Sequence, residues 1–588
     1  MNIKTVWKKR ENAIIAILYT IVICGILAWF FDYYYELNDD YFIKNILSGV
    51  YSGTPSAHSI QMLYPLSLLL SGLYRINRNI SWFGLFMNLC QFGCIALITE
   101  RMLSLFPARW KKIAVLVGET IFLAGFMIKE MVFVQYTFTT AFLAATATFL
   151  FYTSEPAHDV KSILEKNLIS IILVVVAFNV RSEMLLLMLP FICVTGVCKW
   201  AMEKPAFTSE NVKKYFSVFG CIIAGLLLSY VIDVMAYSGS EWKEFRIFFN
   251  NRTELYDFQS IPSYDENEEF YQSINMSREE QILLVNYNFG MDDNIDAEKM
   301  GQIAQYAKKL REQRENNKKE IIKDVIKDYV YRTFRGIDTP WNLIAVIMYV
   351  MVFLIALCNS HLRFIWELGF MGIVRTGLWF FLIYRGRLPE RITHSMYFME
   401  FMILLAMLLK EYQKNRISKI IFGTECFVLM AFCSMYIPQN ITKQYENFEK
   451  NERLYKRYQD LKDYTKQHAD NFYFWDVATF SQYTEKMFVD VDNTLSNIDI
   501  MGGWLNKSPL TKEKLSLFEI DSMEDAILNK DNVYVIVTAG ESKDYPALTE
   551  WIKAYYDFQG KNITVNQVDN IYTDGKEIFR IYQVNPEK

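Results

Sequence analysis

Asp39 and Asp40 stand side by side a few residues after the first apolar segment of the chain ends. A carboxylate at a water-facing membrane boundary can take the proton of an acceptor hydroxyl or amine while a lipid-borne phosphate leaves. A structural role is the alternative: Asn38 can cap the helix that follows, with both aspartates in its first turn favouring the helix dipole. The pair is therefore a candidate catalytic base, and capping is the competing interpretation.

A second group with chemical potential is a set of three arginines, Arg385, Arg387 and Arg391, in a short segment between two apolar runs. A guanidinium matches the geometry of a phosphate and can bind it through two hydrogen bonds. These arginines are candidates for holding lipid phosphate at the bilayer surface. The alternative is that the segment pairs with Glu390 and nearby acids.

Other polar side chains lie at the ends or in the middle of apolar runs. Charges at such depth usually face a cavity or each other, because exposure to lipid is costly. The alternative to a site is that these charges form two compensating pairs, Arg181 with Glu183 and Lys129 with Glu130. A lone histidine at the membrane interface is more often structural than catalytic. A charge halfway along a span needs a partner, and the carboxylates available to Arg375 are Glu367, Asp233, Glu119 and Glu400. The candidates for binding substrate or lipid phosphate are Arg181, Arg375, Lys129, Glu130, His58 and Tyr64.

The composition is that of a polytopic membrane protein with large aqueous parts. Of the 588 residues, 52% are hydrophobic and 16% aromatic, yet 21% are charged. A net charge of −4 gives no nucleic-acid signature. All nine cysteines lie in apolar segments, so no disulfide framework is expected, and no Cys/His spacing indicates a metal. We predict no cofactor, although the sequence leaves a divalent cation open.

Eleven apolar runs are suitable as membrane spans. They are roughly 13–31, 81–99, 112–128, 137–153, 168–181, 184–200, 215–236, 339–358, 362–384, 394–413 and 418–437. A further stretch, 58–75, decides the topology. If it spans, the basic loop 101–112 falls outside, against the positive-inside rule; if it lies in the interface, that loop is cytoplasmic. The second choice predicts a cell-membrane protein with a cytoplasmic N-terminus and an extracytoplasmic C-terminus.

The predicted fold class is mainly α, a transmembrane helical bundle of about eleven spans followed by a small α/β domain. The membrane domain covers residues 1–437, with external loops 32–80 and 238–338, the first of them carrying interfacial helices. The extracytoplasmic domain covers 438–588, where strand-like runs alternate with helical stretches. The strand-like runs are 472–477, 533–538, 563–568 and 578–584, and the helical stretches are 522–528 and 545–556. The acidic segment 292–296 matches part of a calcium loop but lacks its terminal glutamate.

This layout resembles the type C glycosyltransferase superfamily, which includes protein O-mannosyltransferases and lipid A aminoarabinose transferases. The features that carry the resemblance are the acidic motif 38–40 on a long external loop, the Leu-Tyr-Pro-Leu element at 63–66 and the Arg-Ser-Glu break at 181–183. The chain also resembles a group of membrane proteins from Gram-positive anaerobes through three short segments. These are Leu-Tyr-Asp-Phe at 255–258, Asn-Tyr-Asn-Phe-Gly at 286–290 and Gly-Arg-Leu-Pro-Glu-Arg at 386–391.

The resemblance implies transfer of a sugar from a polyprenyl-phosphate donor to a glycan, lipid or protein acceptor on the outer face of the membrane. Asp39 or Asp40 would be the general base, and the arginines would hold the lipid phosphate. Where the family often has a second acidic residue, this chain has Gln135, Tyr136 and Thr137, which favours a single-base mechanism without a metal. The tyrosines 33–35 and 41 would stack on sugar rings or anchor the chain at the interface. A transporter or lipid flippase, or a non-catalytic envelope assembly protein, is the alternative.

Overall fold

The computed structural model describes residues 3–203, 205–314, 318–358, 362–414, 416–489, 494–540 and 547–587. Within these residues the chain is mainly α-helical, with a five-stranded sheet near its C-terminal end and a two-residue strand pair. Eight of the described helices are long and apolar enough to cross a membrane. The chain is therefore a multi-pass helical membrane protein with a small C-terminal sheet, as the sequence predicts.

The first part of the chain contains ten helices and the strand pair. They are α1 (Ile3–Phe30), β1 (Tyr34–Tyr35), α2 (Asn38–Ser48), α3 (Tyr64–Ile76), α4 (Trp82–Leu105), α5 (Arg109–Phe122), a π-helical turn (Leu123–Met127), α6 (Ile128–Val132), β2 (Phe133–Val134), α7 (Tyr136–Thr153), α8 (Val160–Val180), α9 (Ser182–Trp200) and α10 (Ser209–Ala236). Helix α7 is buried along nearly its whole length and packs against α4, α8 and α9. Its alanines and threonines are small enough to let these neighbours approach closely.

Two features of this part concern stretches that the sequence analysis considers as membrane spans. The stretch 58–75 contains only the 13-residue helix α3, about 20 Å long and too short for a hydrocarbon core of about 30 Å. The predicted span 112–128 is helical but passes into the π-helical turn, where a Cβ on Gly125 would lie 2.8 Å from the carbonyl oxygen of Cys433. A glycine is therefore required there for the close approach of a later helix.

A largely polar helical region follows α10. It contains α11 (Ser240–Phe258), α12 (Glu268–Ser273), α13 (Arg278–Val285), a 3-10 turn (Phe289–Met291), α14 (Ala297–Arg314) and α15 (Lys318–Phe334). Helix α13 opens with a capping box, in which Ser277 and Glu280 bind each other's backbone N–H groups. The chain then returns to apolar helices with α16 (Trp341–Cys358), α17 (Leu362–Arg385), α18 (Glu390–Gln413) and α19 (Lys419–Gln467).

Helix α19 links the membrane bundle to the C-terminal region without a break. It has 49 residues, a length of about 74 Å at 1.5 Å per residue. The predicted boundary after residue 437 falls inside this helix, next to its internal Pro438. The side chain of Asn440 donates to the carbonyl of Ala124 at 2.9 Å and so fixes α19 against the π-helical turn.

The C-terminal region is a mixed sheet with helices. Its elements are β3 (Phe472–Trp475), α20 (Val477–Phe480), β4 (Ile498–Ile500), α21 (Pro509–Ser516), α22 (Met523–Asn529), β5 (Val533–Thr538), α23 (Leu548–Phe558), β6 (Ile563–Thr573) and β7 (Lys576–Pro586). The strand order is β4-β3-β5-β7-β6, parallel in the first three strands and antiparallel in the last two pairings. Each of the four predicted strand runs contains a strand, although the run 472–477 ends as a strand at Trp475 and α20 begins at Val477. Strand β4 is not predicted from the sequence. Both predicted helical stretches are helices, except that residues 545 and 546 lie outside the described residues.

Helix α2 packs against this C-terminal region. Phe42, Ile46 and Tyr51 share one hydrophobic cluster with Trp475 and Leu505. Because the same helix begins with Asn38, Asp39 and Asp40, this packing sets the candidate catalytic pair between the membrane bundle and the C-terminal region.

Candidate functional site

A short parallel strand pair places the beginning of α2 beside the beginning of α7. Tyr34 pairs with Phe133 and Tyr35 with Val134, and the backbone N–H of Glu36 donates to Val134 at 3.0 Å. Tyr34 and Tyr35 are buried in this bridge, so the prediction that they stack on sugars or anchor at the interface is wrong. Tyr34 donates its hydroxyl to Glu452, and the hydroxyl oxygens of Tyr35 and Ser81 lie 3.3 Å apart, so both side chains are engaged within the fold.

Asp40 is fully buried at this junction. Its Oδ1 accepts a hydrogen bond at 3.2 Å from the backbone N–H of Tyr136, the first residue of α7, while its Oδ2 has no hydrogen-bond partner. Burial, followed by the neighbouring charge of Asp39, raises the pKa of Asp40 well above the usual range of a carboxyl. Asp40 is thus a carboxyl that the fold holds in place but leaves partly unsatisfied.

Asp39 is only partly buried and is held by the C-terminal region. Its Oδ1 accepts a hydrogen bond at 2.8 Å from the indole Nε1 of Trp504. The turn that presents Trp504 needs glycine at 502, since a Cβ there would lie 1.7 Å from the carbonyl oxygen of Tyr287. The residue flanking α2 at its N-terminus is Leu37, and no side chain caps the helix. The prediction that Asn38 caps α2 is therefore wrong, whereas the prediction that Asp39 and Asp40 lie in its first turn is confirmed.

Three of the predicted arginines come together near this pair, and a fourth joins them. Burial, and then the charges of Arg391, Arg181 and Arg252, lower the pKa of Arg387. Electrostatic attraction also links these arginines to the two carboxyls. The charge of Arg391 favours the ionised form of Asp40, and the charges of both aspartates favour the protonated form of Arg181. Arg181, Arg252, Arg387 and Arg391, hereafter the arginine group, thus form one positive region beside the two aspartates.

The members of the arginine group differ in their partners. Arg181 binds Glu183 at 3.1 Å and the side chain of Gln61, and its guanidinium lies 5.2 Å from the ring centre of Tyr136. The ion pair with Glu183 is the one that the sequence analysis offers as the alternative to a site, and the structure contains it.

The other three members have fewer partners. Arg387 is ion-paired with Asp257. Arg391 makes no ion pair with any residue that the structure describes, and the Nε of Arg252 is buried without a hydrogen-bond partner. Among the described residues, ion pairs within 4.0 Å thus engage Arg181 and Arg387 but not Arg252 and Arg391.

Lys129 and Glu130 lie next to the strand pair but do not neutralise each other. The ammonium of Lys129 is 3.0 Å from Glu36 and 2.9 Å from Glu390. Glu130 accepts from Nδ1 of His394 at 3.1 Å. The prediction that the two are compensating neighbours is wrong, because each finds its partner on another element. They connect the loop before α2 to the beginning of α18.

Arg375 and Arg385, both predicted to hold phosphate, have other partners. Buried Arg375 pairs with Glu400 at 2.8 Å and donates to the hydroxyl of Tyr329. Glu400 is one of the four partners that the sequence offered. Arg385 lies 3.7 Å from Glu254 and 3.9 Å from the ring centre of Phe258. Neither arginine contributes to the group beside the aspartates.

His58 and Tyr64 pack in an aromatic cluster at the end of α10. The ring of His58 stacks on Trp242 at 4.7 Å, and its Nε2 lies 3.3 Å from the carbonyl oxygen of Ala236. Tyr64 donates its backbone N–H to Asp233. Burial lowers the pKa of His58. These contacts hold the ring of His58 and the backbone of Tyr64 within the fold, and their role in binding substrate stays a prediction.

Trp504 and Arg252 were missed by the sequence reasoning. Arg252 lies in a charged helix where nothing in the spacing sets it apart, whereas two adjacent glycines before Trp504 indicate only a turn. No group of three or more metal-ligating side chains occurs in the described residues. The acidic segment 292–296 binds an ammonium instead: Lys507 donates to the carbonyls of Asp292 and Ile295 at 2.6 and 2.7 Å.

No protein-family profile and no curated protein matches the chain. Two solved structures of ArnT from Cupriavidus metallidurans are similar to it. The apo structure has a TM-score of 0.40 and 10% identity, and the structure bound to undecaprenyl phosphate has 0.36 and 9%. Each comparison covers 96% of this chain and 97% of the other. At this level of similarity the chemistry must be argued from the residues of this chain.

Proposed function

We propose that this protein is a membrane glycosyltransferase that moves a sugar from a polyprenyl-phosphate donor to a glycan, lipid or protein acceptor on the outer face of the membrane. The observation that carries the proposal is the meeting of Asp39 and Asp40 with an arginine group that its neighbours only partly neutralise. The phosphate diester of the donor, and the phosphate monoester that leaves, both match the charge and the hydrogen-bonding geometry of such a group. A lipid-borne phosphate would reach it from the bilayer.

The two aspartates are suited to different tasks. A general base must reach the proton that it removes, and Asp39 is the partly exposed member of the pair. Asp40 is buried with a raised pKa, so it keeps a proton more readily and adds less repulsion to an incoming phosphate. We therefore assign the base to Asp39 and a supporting role to Asp40.

In this mechanism the acceptor oxygen or nitrogen attacks the anomeric carbon and its proton passes to Asp39. The bond between the anomeric carbon and the phosphate oxygen breaks, and the polyprenyl phosphate leaves with the electron pair. Arg181, Arg387 and Arg391 stabilise the charge that develops on the departing phosphate. Arg252 lies within the same positive field.

Asp39→Asn tests the proposal. We expect sugar transfer in membrane vesicles to fall by about 10²–10⁴-fold, the usual contribution of a general base. The readout is mass spectrometry of lipid-linked sugars and envelope glycans, with the unused donor accumulating. Asp32→Asn is the matched control, because Asp32 is half-exposed and pairs with Lys486 at 2.7 Å.

Two results would count against the proposal. Full transfer activity in Asp39→Asn would remove Asp39 as the base. Flux of an intact lipid-linked sugar across proteoliposomes, with no covalent product, would instead favour the transporter or flippase alternative.

A further inference from the structure

A second charged cluster lies at the opposite end of the helices that carry the candidate site. Helix α7 begins beside Asp40 and ends at Thr153. Its 18 residues span about 27 Å, close to the thickness of a hydrocarbon core. The C-terminal end of α7 therefore lies near the other face of the membrane.

Four cations surround this end of α7. Lys410 donates to the carbonyls of Ser154 and Thr153 at 2.9 and 3.2 Å. The remaining contacts join Lys199 to the carbonyl of Phe151, Arg101 to Thr153, and Lys214 to the carbonyl of Ala157. The last carbonyls of a helix carry partial negative charge and attract cations. We call these four residues, Arg101, Lys199, Lys214 and Lys410, the cation cluster.

Carboxylates neutralise the cation cluster only in part. Lys214 lies 3.8 Å from Glu203. Beyond ion-pair distance, Glu100 and the exposed Glu155 act electrostatically on Arg101, Glu155 and Glu411 act on Lys410, and Glu203 acts on Lys199. Lys166 and Lys414 add positive charge to the same region. In the described part of the chain, Arg101, Lys199 and Lys410 make no ion pair within 4.0 Å. Because buried cations are costly unless paired, the cluster is complementary to an anion at this face.

An apolar cavity adjoins the cation cluster. It has a volume of about 310 Å³ and lies between α7, α8, α9 and α10, within the common range of ligand pockets. Phe151 and Trp200 line it, and the ammonium of Lys199 lies 4.4 Å from the ring centre of Phe151. Phe216 and Phe219 also line it and are 58% and 50% exposed, on the side that faces lipid.

We propose that the cavity and the cation cluster form one binding site for an anionic phospholipid of the leaflet opposite the candidate active site. The phosphate would lie against Lys410, and an acyl chain would fill the cavity between α8 and α10. Lys199 is already bound to the carbonyls of Phe151 and Ser154 and to the Ser154 hydroxyl, so it would contribute its charge rather than a hydrogen bond. The lipid would hold these four helices together at the end remote from Asp40. This lipid site is separate from the proposed catalytic site, and its test does not depend on the proposed glycosyltransferase activity.

The test is native mass spectrometry of the full-length chain in detergent, titrated with phosphatidylglycerol or phosphatidylcholine. We expect phosphatidylglycerol to be retained about tenfold more tightly, the effect of one charge-assisted contact. Gly196→Leu should weaken its retention by a similar factor. Gly196 lines the cavity and a Cβ there meets nothing within 4 Å, so the leucine fills the cavity without a clash at the backbone.

Two further variants separate the parts of the proposal. Lys410→Gln keeps a donor for the carbonyls of α7 but removes the charge, and it should reduce the preference for phosphatidylglycerol over phosphatidylcholine. Gly220→Leu is the control for Gly196→Leu, since Gly220 is also on an open helix face but does not line the cavity. Equal retention of both lipids by the unmodified protein, unchanged retention by Gly196→Leu, or displacement of phosphatidylglycerol by equimolar polyprenyl phosphate would each overturn the proposal.

Discussion

Helix α2 contributes side chains to two charged clusters that differ in how fully their carboxyl groups are paired. At its beginning, Asp39 and Asp40 face the arginine group, where Asp40 Oδ2 and Arg252 Nε lack hydrogen-bond partners. Slightly over one turn later, Lys44 pairs with Glu485 at 3.0 Å, and Lys462 of α19 binds the same carboxylate at 2.9 Å. In the second cluster Glu485 Oε2 also lacks a hydrogen bond, but it lies 3.0 Å from the ammonium of Lys44. The second cluster therefore joins α2, α19 and the segment of Glu485 through shared ion pairs, whereas Asp40 has no such partner among the residues that the structure describes.

The two clusters also shift carboxyl pKa values in opposite directions. Burial raises the pKa of Asp40, and Asp39 adds to the rise. Burial alone would also raise the pKa of Glu485, but Lys44 and Lys462 outweigh it and lower that pKa. A carboxylate held by two ammonium groups stabilises the fold at neutral pH, whereas a buried carboxyl without a full set of partners works against it. We infer that the ion pairs of Glu485 stabilise the position of α2, the scaffold role, whereas Asp39 and Asp40 at its beginning belong to the candidate site.

The largest effect on folding should come from Glu485→Ala, which leaves two lysines without their shared carboxylate. Breaking a buried ion pair from one side typically costs about 3–5 kcal/mol. We expect a loss of this size in the free energy of unfolding, measured by denaturant titration in detergent micelles. The control is Glu577→Ala, which removes a partly exposed carboxylate paired with Arg580 and should change stability much less. Equal effects of the two variants would contradict the assignment of the Glu485 cluster to the scaffold.

The sequence predicts the helical spans better than the site because the two depend on different interactions. Long apolar runs must become helices in a membrane, since every backbone polar group needs a partner within the segment. The partners of charged residues depend instead on contacts far apart in the chain. Lys129 pairs with Glu390 rather than with adjacent Glu130, and Trp504 reaches Asp39 across 465 positions. Spacing along the chain carries no information about such pairs.

Arg391 and Arg385 offer a sharper contrast within the predicted phosphate-binding arginines. Arg391→Gln should raise the KM for the lipid-linked donor by about 10–100-fold, the value of a hydrogen bond to a charged group. Arg385→Gln should raise it far less, because Arg385 is engaged with Glu254 and Phe258. Transfer kinetics in vesicles with varied donor concentration measure both. A larger effect of Arg385→Gln would place the phosphate nearer to α11 than we propose.

The smallest effect, and the one that tests the comparison most directly, is the pH dependence of stability in Asp40→Asn. Because the folded state raises the pKa of Asp40, the folded protein holds its proton longer than the unfolded chain does. Stability from this group is therefore complete below the unfolded pKa of about 3.9 and is lost as pH rises through the folded pKa. Glu485 has the opposite sign, since its lowered pKa contributes stability that disappears as pH falls.

We expect Asp40→Asn to be no less stable than the unmodified protein near pH 7, and its advantage to shrink as the pH is lowered toward 4. Unfolding titrations at several pH values measure the difference directly, with Asp32→Asn as the control for removing one negative charge near the same loop. If Asp40→Asn is destabilised most at neutral pH, the carboxylate of Asp40 is paired as Glu485 is. The two clusters on α2 would then follow one rule, and Asp40 would belong to the scaffold rather than to the site.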